Sequence, residues 1–139
     1  MPTDSEIRAL LKVVKVIAVV GWSPKADRPS HGVAAYLARK GYRVIPVNPG
    51  QAGVRVPWGE VVRASLSEIG GGVDMVDIFR RSAEVGPVVD EALASLPGLK
   101  AIWMQLGVQD EAAAARAEAA GVRVVMNRCP AIEIPRLGL

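Results

Sequence analysis

The fold is decided by residues 16–49, which read VIAVV at 16–20, GWSPKADRPS at 21–30, HGVAAYLARK at 31–40 and GYRVIPVNP at 41–49. The first five residues are apolar and mostly β-branched, which is typical of a parallel strand covered on both faces. A loop from Gly21 to Ser30 follows, and Ser30 is the predicted N-cap of a helix over residues 31–40. Gly41 ends that helix, and residues 42–47 form the second predicted strand. A strand–helix–strand crossover is almost always right-handed, so the two strands are predicted to be parallel.

The rest of the chain repeats this alternation. A helix is predicted over residues 4–13, with Thr3 or Asp4 as its N-cap. Strands at 73–79, 99–104 and 122–126 alternate with helices at 83–95 and 111–120, the latter capped by Asp110, before a short tail. The secondary structure of residues 51–72 is ambiguous. The sequence suggests brief strand pairing at 54–56, a turn at 57–59, and either a strand fragment or a helical turn at 61–66. The pattern predicts one Rossmann-like α/β domain over residues 1–139, with a doubly wound parallel sheet in three α/β/α layers.

Length and composition exclude several classes of protein. The chain has 139 residues, of which 50% are hydrophobic and 22% charged, as expected of one globular domain. A single cysteine and a single histidine exclude a disulfide framework and a Cys/His zinc site. A Ser-His-Asp triad would have to include His31.

The net charge of +3 suits an anionic small molecule. No run of Lys and Arg exceeds two residues and the aromatic residues are scattered, so no nucleic-acid partner is expected. Residues 13–20 are the longest apolar stretch and are interrupted by Lys15, whereas a membrane helix needs about 20 residues. We therefore expect no membrane partner and a cytoplasmic location. The parallel-sheet surfaces leave a homodimer open.

The fold class also predicts where a ligand binds. In doubly wound sheets, ligands lie beyond the carboxyl ends of the strands where the strand order reverses. In the common order 3-2-1-4-5-6, that crevice lies between the first and fourth strands. The segments expected to meet there are residues 21–30, 48–49, 79–82 and 103–105.

The loop after the first strand carries the features of a phosphate site. Gly21 allows the backbone to approach a ligand closely, and the amides that begin the next helix carry partial positive charge. Lys25 and Arg28 add full positive charge. The alternative is a glycine that merely ends a strand, followed by a solvated loop.

The dinucleotide fingerprint is absent from this loop. A G-x-G-x-x-G motif would need glycine at positions 23 and 26, which hold Ser23 and Ala26. The acidic residue that binds ribose is also missing, because Asn48 and Pro49 stand at the end of the second strand. Both observations argue against NAD.

Six stretches resemble a known family. They are AVVGWS at 18–23, RPS at 28–30, GYRVIPVNP at 41–49, VDIFRR at 76–81, WMQLG at 103–107 and NRCP at 127–130. Together they resemble the small stand-alone CoA-binding proteins, which are similar to the CoA-binding domain of the succinyl-CoA synthetase alpha subunit. The likeness covers nearly the whole chain in order.

The resemblance implies a Rossmann-like domain that holds coenzyme A at the strand ends. The residues it implies form four groups: the phosphate-contacting turn of Gly21, Trp22 and Ser23 with Ser30 at the helix start; Asn48 and Pro49 beside the nucleotide; Trp103, Met104 and Gln105 along the far side of the ligand; and the cations Lys25, Arg28 and Arg80, which can meet its phosphates. Charge-assisted contacts of this kind contribute about 1.5–3 kcal/mol each.

The sequence also departs from the synthetase. That enzyme passes a phosphoryl group through a histidine in a second domain, whereas this sequence ends at Leu139 and its only histidine, His31, is expected to be a partly exposed helix-start residue. We therefore expect a non-catalytic protein that binds CoA or an acyl-CoA. The alternatives are an NAD(P)-binding oxidoreductase domain, the CoA-binding component of an acyl-CoA ligase that acts with a partner chain, and an interaction module whose crevice has lost its ligand.

Four other residues carry weaker expectations. Asp74 and Asp77 are three apart on a strand and point to opposite faces, so they do not form an acid/base pair. Asp77 is expected to be hydrogen-bonded to a neighbouring loop, because an unpaired buried charge is costly. Cys129 lies at the ligand-facing edge, where a buried inert thiol is favoured over a mixed disulfide with CoA. Trp22 and Trp103 either stack on the ligand or pack in the core.

Overall fold

The computed structural model describes residues 1–139 and contains one five-stranded parallel sheet. The strands are β1 (Val16–Val20), β2 (Arg43–Val47), β3 (Met75–Ile78), β4 (Ala101–Met104) and β5 (Arg123–Val125). They lie in the order β2-β1-β3-β4-β5, and every neighbouring pair is parallel. The strand order therefore reverses between β1 and β3.

The expected strand order 3-2-1-4-5-6 was wrong, because residues 51–72 add no strand to the sheet. Arg55 and Val61 form an isolated antiparallel bridge, and Arg63 forms an isolated parallel bridge with Val47 of β2. Residues 66–69 then form the short helix α3 (Leu66–Ile69), whose N-cap Ser65 accepts a hydrogen bond from the amide of Glu68. Pro57 and the turns at Gly53 and Gly59 prevent a continuous ladder here. The crevice nevertheless lies beside the first strand, as expected.

Five longer helices complete the two outer layers: α1 (Asp4–Val13), α2 (Pro29–Arg39), α4 (Val85–Ser95), α5 (Glu111–Ala119) and α6 (Pro130–Arg136). Helices α1, α2 and α6 pack on one face of the sheet in an apolar cluster that contains Ile17, Val19 and Trp103. Helices α3, α4 and α5 pack on the other face, against Ala18 and Val76 among others. This arrangement confirms the three-layer, doubly wound Rossmann-like fold.

Local capping explains the two helices whose starts were predicted correctly. Thr3 accepts a hydrogen bond from the amide of Glu6, and the Glu6 carboxylate accepts one from the amide of Thr3, which completes a capping box for α1. Asp110 accepts a bond from the amide of Ala113 at 3.0 Å and caps α5. Such caps use only neighbours in the sequence, so they can be recognised from it.

The start of α2 differs from the prediction. Arg28 is the N-cap residue, without a side-chain cap, and Pro29 is the first helical residue. Proline suits this position because its fixed φ is helical and its missing N–H would be unpaired anyway. Ser30 is therefore inside the first turn, and its hydroxyl accepts a hydrogen bond from the amide of Ser23 at 3.0 Å instead.

Helix α6 was missed and treated as a tail. Its buried carboxylate Glu133 accepts hydrogen bonds from Arg128 and Arg136, each at 2.7 Å. Arg136 also binds Asp4 at 2.8 Å, which ties α6 to α1. Burial raises the pKa of Glu133, but the bonds from Arg136 and Arg128 outweigh it and hold the pKa below its ordinary value. Two local ion pairs and one tertiary pair, Arg136 with Asp4, thus support a helix whose own sequence includes Pro135.

No helix in the structure is long and apolar enough to cross a bilayer.

Candidate functional site

A cavity of about 550 Å³ lies along the carboxyl edge of the sheet. Its wall takes residues from the segments that follow all five strands, including Asn48 after β2, Gly21 after β1, Phe79 after β3, Gln105 after β4 and Cys129 after β5. The volume is within the ordinary range for pockets that hold a small molecule. The cavity therefore lies where this fold places its ligands.

Gly21 makes the close approach of β1 and β3 possible at the base of the cavity. Its φ is +85°, and a Cβ built at this position would lie 2.3 Å from the carbonyl oxygen of Phe79. Its amide donates to the carbonyl of Val47 at the end of β2. Any side chain here would push apart the ends of two central strands.

Hydrogen bonds hold the loop after β1 against its neighbours. The Asn48 amide nitrogen donates to the carbonyl of Trp22 at 2.7 Å, and the Asn48 amide oxygen accepts from the amide of Gly50 at 2.9 Å. The His31 ring lies 6.0 Å from that of Trp22 in a stacked arrangement. Because Nδ1 of His31 lies 3.1 Å from the carbonyl of Ser23, which can only accept, Nδ1 carries the proton. This histidine, partly buried as expected, braces the loop.

The polar side of the cavity is strongly cationic. Lys25, Arg28 and Arg80 line it, and none of the three side chains forms an ion pair or an internal hydrogen bond. No aspartate or glutamate lines the cavity. Most other arginines of the chain are paired with carboxylates. Three unpaired cations with no carboxylate among them create a local positive potential that attracts a polyanion.

The cavity also has an apolar lining. Val33, Phe79, Leu106 and Val108 line it, and Leu106 is an exposed large hydrophobic residue. A cavity lined by both cations and apolar side chains suits a ligand that carries phosphates at one end and an uncharged chain at the other.

Two buried polar atoms of the cavity wall have no partner in the protein. Trp22 is 3% exposed and Gln105 is 5% exposed, yet Nε1 of Trp22 and Oε1 of Gln105 make no hydrogen bond. An unpaired buried donor or acceptor costs about 1–3 kcal/mol. Both atoms are therefore suited to a ligand that supplies an acceptor and a donor.

The structure brings together most of the residues that the sequence and the family resemblance single out. Nine line the cavity: Gly21, Trp22, Ser23, Lys25, Arg28, Ser30, Asn48, Arg80 and Gln105. Three do not. Trp103 is wholly buried and donates from Nε1 to the carbonyl of Arg128 at 2.7 Å, Met104 belongs to the core on the opposite face, and Pro49 begins a short 3₁₀ turn. Ligand contact by any of the twelve stays a prediction.

The apolar residues of the cavity wall were not predicted from the sequence. Pro29, Val33, Phe79, Leu106 and Val108 line the cavity but were not singled out. Leu106 and Val108 directly follow the predicted segment at 103–105, so extending that segment would have found them. Val33 lies one helical turn after Pro29, and that spacing was the signal for a second residue on the same face.

Asp77 contradicts the expectation of a hydrogen bond to a loop. Its side chain is completely buried, and neither carboxylate oxygen has a partner. Asp77 lies in the middle of the sheet beside Val19 and Trp103, where no loop reaches it. Burial raises the pKa of Asp77 well above its ordinary value, because the charged form is poorly solvated there. Burial thus favours the neutral form of this carboxyl over the charged form.

The fold and the cavity define a class of protein: a Rossmann-like α/β domain with a cationic, half-apolar cavity at the point where its strand order reverses. A family described as CoA binding domain matches residues 15–135. The chain belongs to this family, which confirms the resemblance seen in the sequence motifs.

Individual relatives agree in sequence and in structure. The chain is 37% identical to the uncharacterized protein YneT of Bacillus subtilis over 92% of its own length and 91% of that protein. A solved structure from Thermus thermophilus is similar with a TM-score of 0.90 and 37% identity, over 98% of this chain and 99% of that one. A hypothetical protein from Pyrococcus horikoshii has a TM-score of 0.90 and 35% identity, over 99% and 94% of the two chains.

The fold also occurs inside a larger enzyme. An acetyl-coenzyme A synthetase of Candidatus Korarchaeum cryptofilum, solved with phosphate and ADP, is similar with a TM-score of 0.67 and 24% identity. The match covers 80% of this chain but only 25% of the synthetase chain. At this identity the similarity shows a shared fold.

Proposed function

We propose that this protein binds coenzyme A or an acyl-CoA in the cavity at the carboxyl edge of its sheet, without transforming it. The observation that carries the proposal is the set of three unpaired cations, Lys25, Arg28 and Arg80, on a cavity wall that has no carboxylate. Membership of the CoA binding domain family gives the charge pattern its most direct interpretation.

The phosphates of the ligand belong at the β1 end of the cavity. Lys25 and Arg28 lie in the loop before α2, and the first amides of a helix have no intrahelical acceptor. Coenzyme A carries a diphosphate and a 3′-phosphate, so it can engage several cations at once. Each charge-assisted contact contributes about 1.5–3 kcal/mol, which makes the phosphates the main source of affinity.

The pantetheine arm belongs against the apolar wall. Phe79, Leu106 and Val108 can cover its methylene and methyl groups, and the unpartnered Oε1 of Gln105 can accept a hydrogen bond from one of its amides. The arm has two amide N–H groups and a hydroxyl, so it supplies the donor that the protein lacks at this point.

The non-catalytic role rests on the chemistry of the cavity wall. Coenzyme A ligases need a nucleophile or acid/base groups at the acyl centre. Cys129 is the one thiol on the wall, but the charged side chains there are all cations, so no carboxylate on the wall can serve it as a general base, and Asp77 lies completely buried in the sheet. Holding the ligand is the function that these groups support.

Isothermal titration calorimetry with CoA, acetyl-CoA, dephospho-CoA, NAD and ATP tests the proposal. We expect CoA to bind most tightly, and dephospho-CoA, which lacks only the 3′-phosphate, to bind about tenfold or more weakly. Raising the salt concentration should weaken CoA binding, because exposed charges are screened. Tight NAD binding without a response to CoA would transfer the assignment to an NAD(P)-binding domain.

A second candidate is suggested by the match to one quarter of an acetyl-coenzyme A synthetase chain. In this case the protein would be the CoA-binding component of an acyl-CoA ligase and would need a partner chain. Affinity purification from its native cell, followed by an assay of acyl-CoA formation, separates the two functions. Ligase activity that depends on a co-purified partner would favour the second candidate.

A further inference from the structure

Cys129 is a cysteine that the core does not explain. It is 6% exposed, but apart from the prolines it is the one buried apolar residue that belongs to neither of the two apolar clusters. It lines the cavity instead, in the segment that follows β5. A purely structural cysteine behaves as a small core hydrophobe, so the position of this thiol calls for another explanation.

Gln105 provides an independent sign that a ligand reaches the same end of the cavity. The amide of Arg128 donates to the carbonyl of Met104 at 3.3 Å, and the amide of Gly107 donates to Oδ1 of Asn127 at 2.7 Å. These bonds hold the segments after β4 and β5 side by side, which places Gln105 next to Cys129. The buried Oε1 of Gln105 has no partner in the protein, so a donor from a ligand would satisfy it.

The pantetheine arm is long enough to reach Cys129 from the loop after β1. In the sheet, β1 and β5 are three strand spacings of about 4.8 Å apart, or roughly 14 Å. Arg28 and Cys129 are the N-cap residues of α2 and α6, and these two helices contact each other. From its phosphate ester to its sulfur, the arm has about a dozen bonds, as many as about four residues of extended chain, which span roughly 14 Å. With its phosphates beside Lys25 and Arg28, the arm can therefore bring its sulfur to Cys129.

We propose that the protein captures coenzyme A covalently, as a mixed disulfide with Cys129 formed by exchange with CoA disulfide. This inference rests on the proposed function, because the cationic end of the cavity must first hold the phosphates. Free CoA would occupy the same cavity without forming the bond.

The exchange is balanced without any further oxidant. The Cys129 thiol loses its proton, and its sulfur attacks one sulfur of CoA disulfide. A new bond forms between Cys129 and that CoA sulfur while the original sulfur–sulfur bond breaks. The second CoA leaves as a thiolate and takes up a proton, so one disulfide is consumed and one is formed. A low-molecular-weight thiol reverses the reaction and releases CoA.

Intact-mass spectrometry of the reduced, full-length protein tests this step. After incubation with CoA disulfide, we expect one adduct with the mass of a single CoA moiety, which dithiothreitol removes. Cys129 is the only cysteine in the chain, so Cys129→Ser should form no adduct, with a urea midpoint that shows it is folded. An adduct that persists in folded Cys129→Ser would overturn the inference.

A matched comparison separates directed capture from general thiol reactivity. Hydroxyethyl disulfide has the same reacting bond but neither phosphates nor adenosine. We expect CoA disulfide to react at least tenfold faster than hydroxyethyl disulfide, and Arg28→Glu to reduce this rate ratio, because the substitution weakens only the attraction of the phosphates. Equal rates for the two disulfides in the native protein would refute the directed step.

Calorimetry with reduced CoA distinguishes failure of this inference from failure of the proposed function. If CoA binds but CoA disulfide leaves no adduct, the covalent step is wrong and the binding function stands. If the protein neither binds CoA nor forms the adduct, both are wrong.

Discussion

Replacement of Gly21 by alanine should damage the protein more than its backbone angle alone predicts. Gly21 has φ +85°, a conformation that costs an L-residue about 1–2 kcal/mol. Its added Cβ would also lie 2.3 Å from the carbonyl oxygen of Phe79, and this atom belongs to the backbone at the end of β3. The strand ends must shift to relieve the overlap, which adds about 1–3 kcal/mol. We expect a total loss of about 2–5 kcal/mol in the free energy of unfolding.

Gly121 offers a matched control. Its φ is +84°, but a Cβ added there would meet nothing within 4 Å. Gly121→Ala therefore carries the conformational cost without the overlap, and it should lose only about 1–2 kcal/mol. Urea unfolding followed by circular dichroism measures both variants at one temperature and pH.

The difference between the two variants isolates the close approach of β1 and β3. We expect Gly21→Ala to be less stable than Gly121→Ala by at least about 1 kcal/mol, and to bind CoA more weakly under conditions in which it is folded, because the turn that leads to the cationic loop is displaced. Equal losses of stability in the two variants would refute the reasoning.

Three other predictions follow from single side chains. Arg28→Glu should weaken CoA binding at least tenfold, about 1.4 kcal/mol, because it places a like charge near the phosphates. The control Arg39→Glu, at the other end of α2, should not weaken CoA binding. Equal effects of the two variants in calorimetry would remove Arg28 from the site. Asp77→Asn should stabilise the protein more at pH 7 than at pH 4. Burial raises the folded pKa of Asp77, so the stability of the native protein falls as the pH rises above the ordinary aspartate pKa of 3.8. If Asp77→Asn raised the urea midpoint equally at both pH values, the prediction would be contradicted. Arg136→Ala should lower the free energy of unfolding by about 1–3 kcal/mol at pH 7, because it removes a partner of buried Glu133. The loss should be smaller at pH 3.5, because the folded pKa of Glu133 is lowered and the stabilisation from its ion pairs disappears as the pH falls. An equal loss at both pH values would refute this prediction.

The candidate site was only partly visible in the sequence. Lys25, Arg28 and the turn at Gly21 could be recognised because charge and glycine are properties of single positions. The hydrogen-bond partners of buried groups could not be recognised from the sequence. Whether Asp77 has a hydrogen bond depends on which atoms the folded chain brings to the centre of the sheet, and in fact none of them reaches it.

Local sequence by itself determined the elements of this protein. The apolar run of β1, the capping box of α1 and the cap of α5 at Asp110 use residues within one turn or one strand, so the starts of these elements were predicted correctly. The alternating order of these strands and helices was sufficient to predict the three-layer α/β fold class.

Only the tertiary structure decided the rest. It placed β3 beside β1, left residues 51–72 outside the sheet, and tied α6 to α1 through the ion pair between Arg136 and Asp4, which are 132 positions apart in the sequence. It also brought Cys129 and Gln105 into the same cavity as Lys25 and Arg28. The physical reason is that burial, ion pairing and the shape of a cavity depend on distances between segments, which no local pattern of residues encodes.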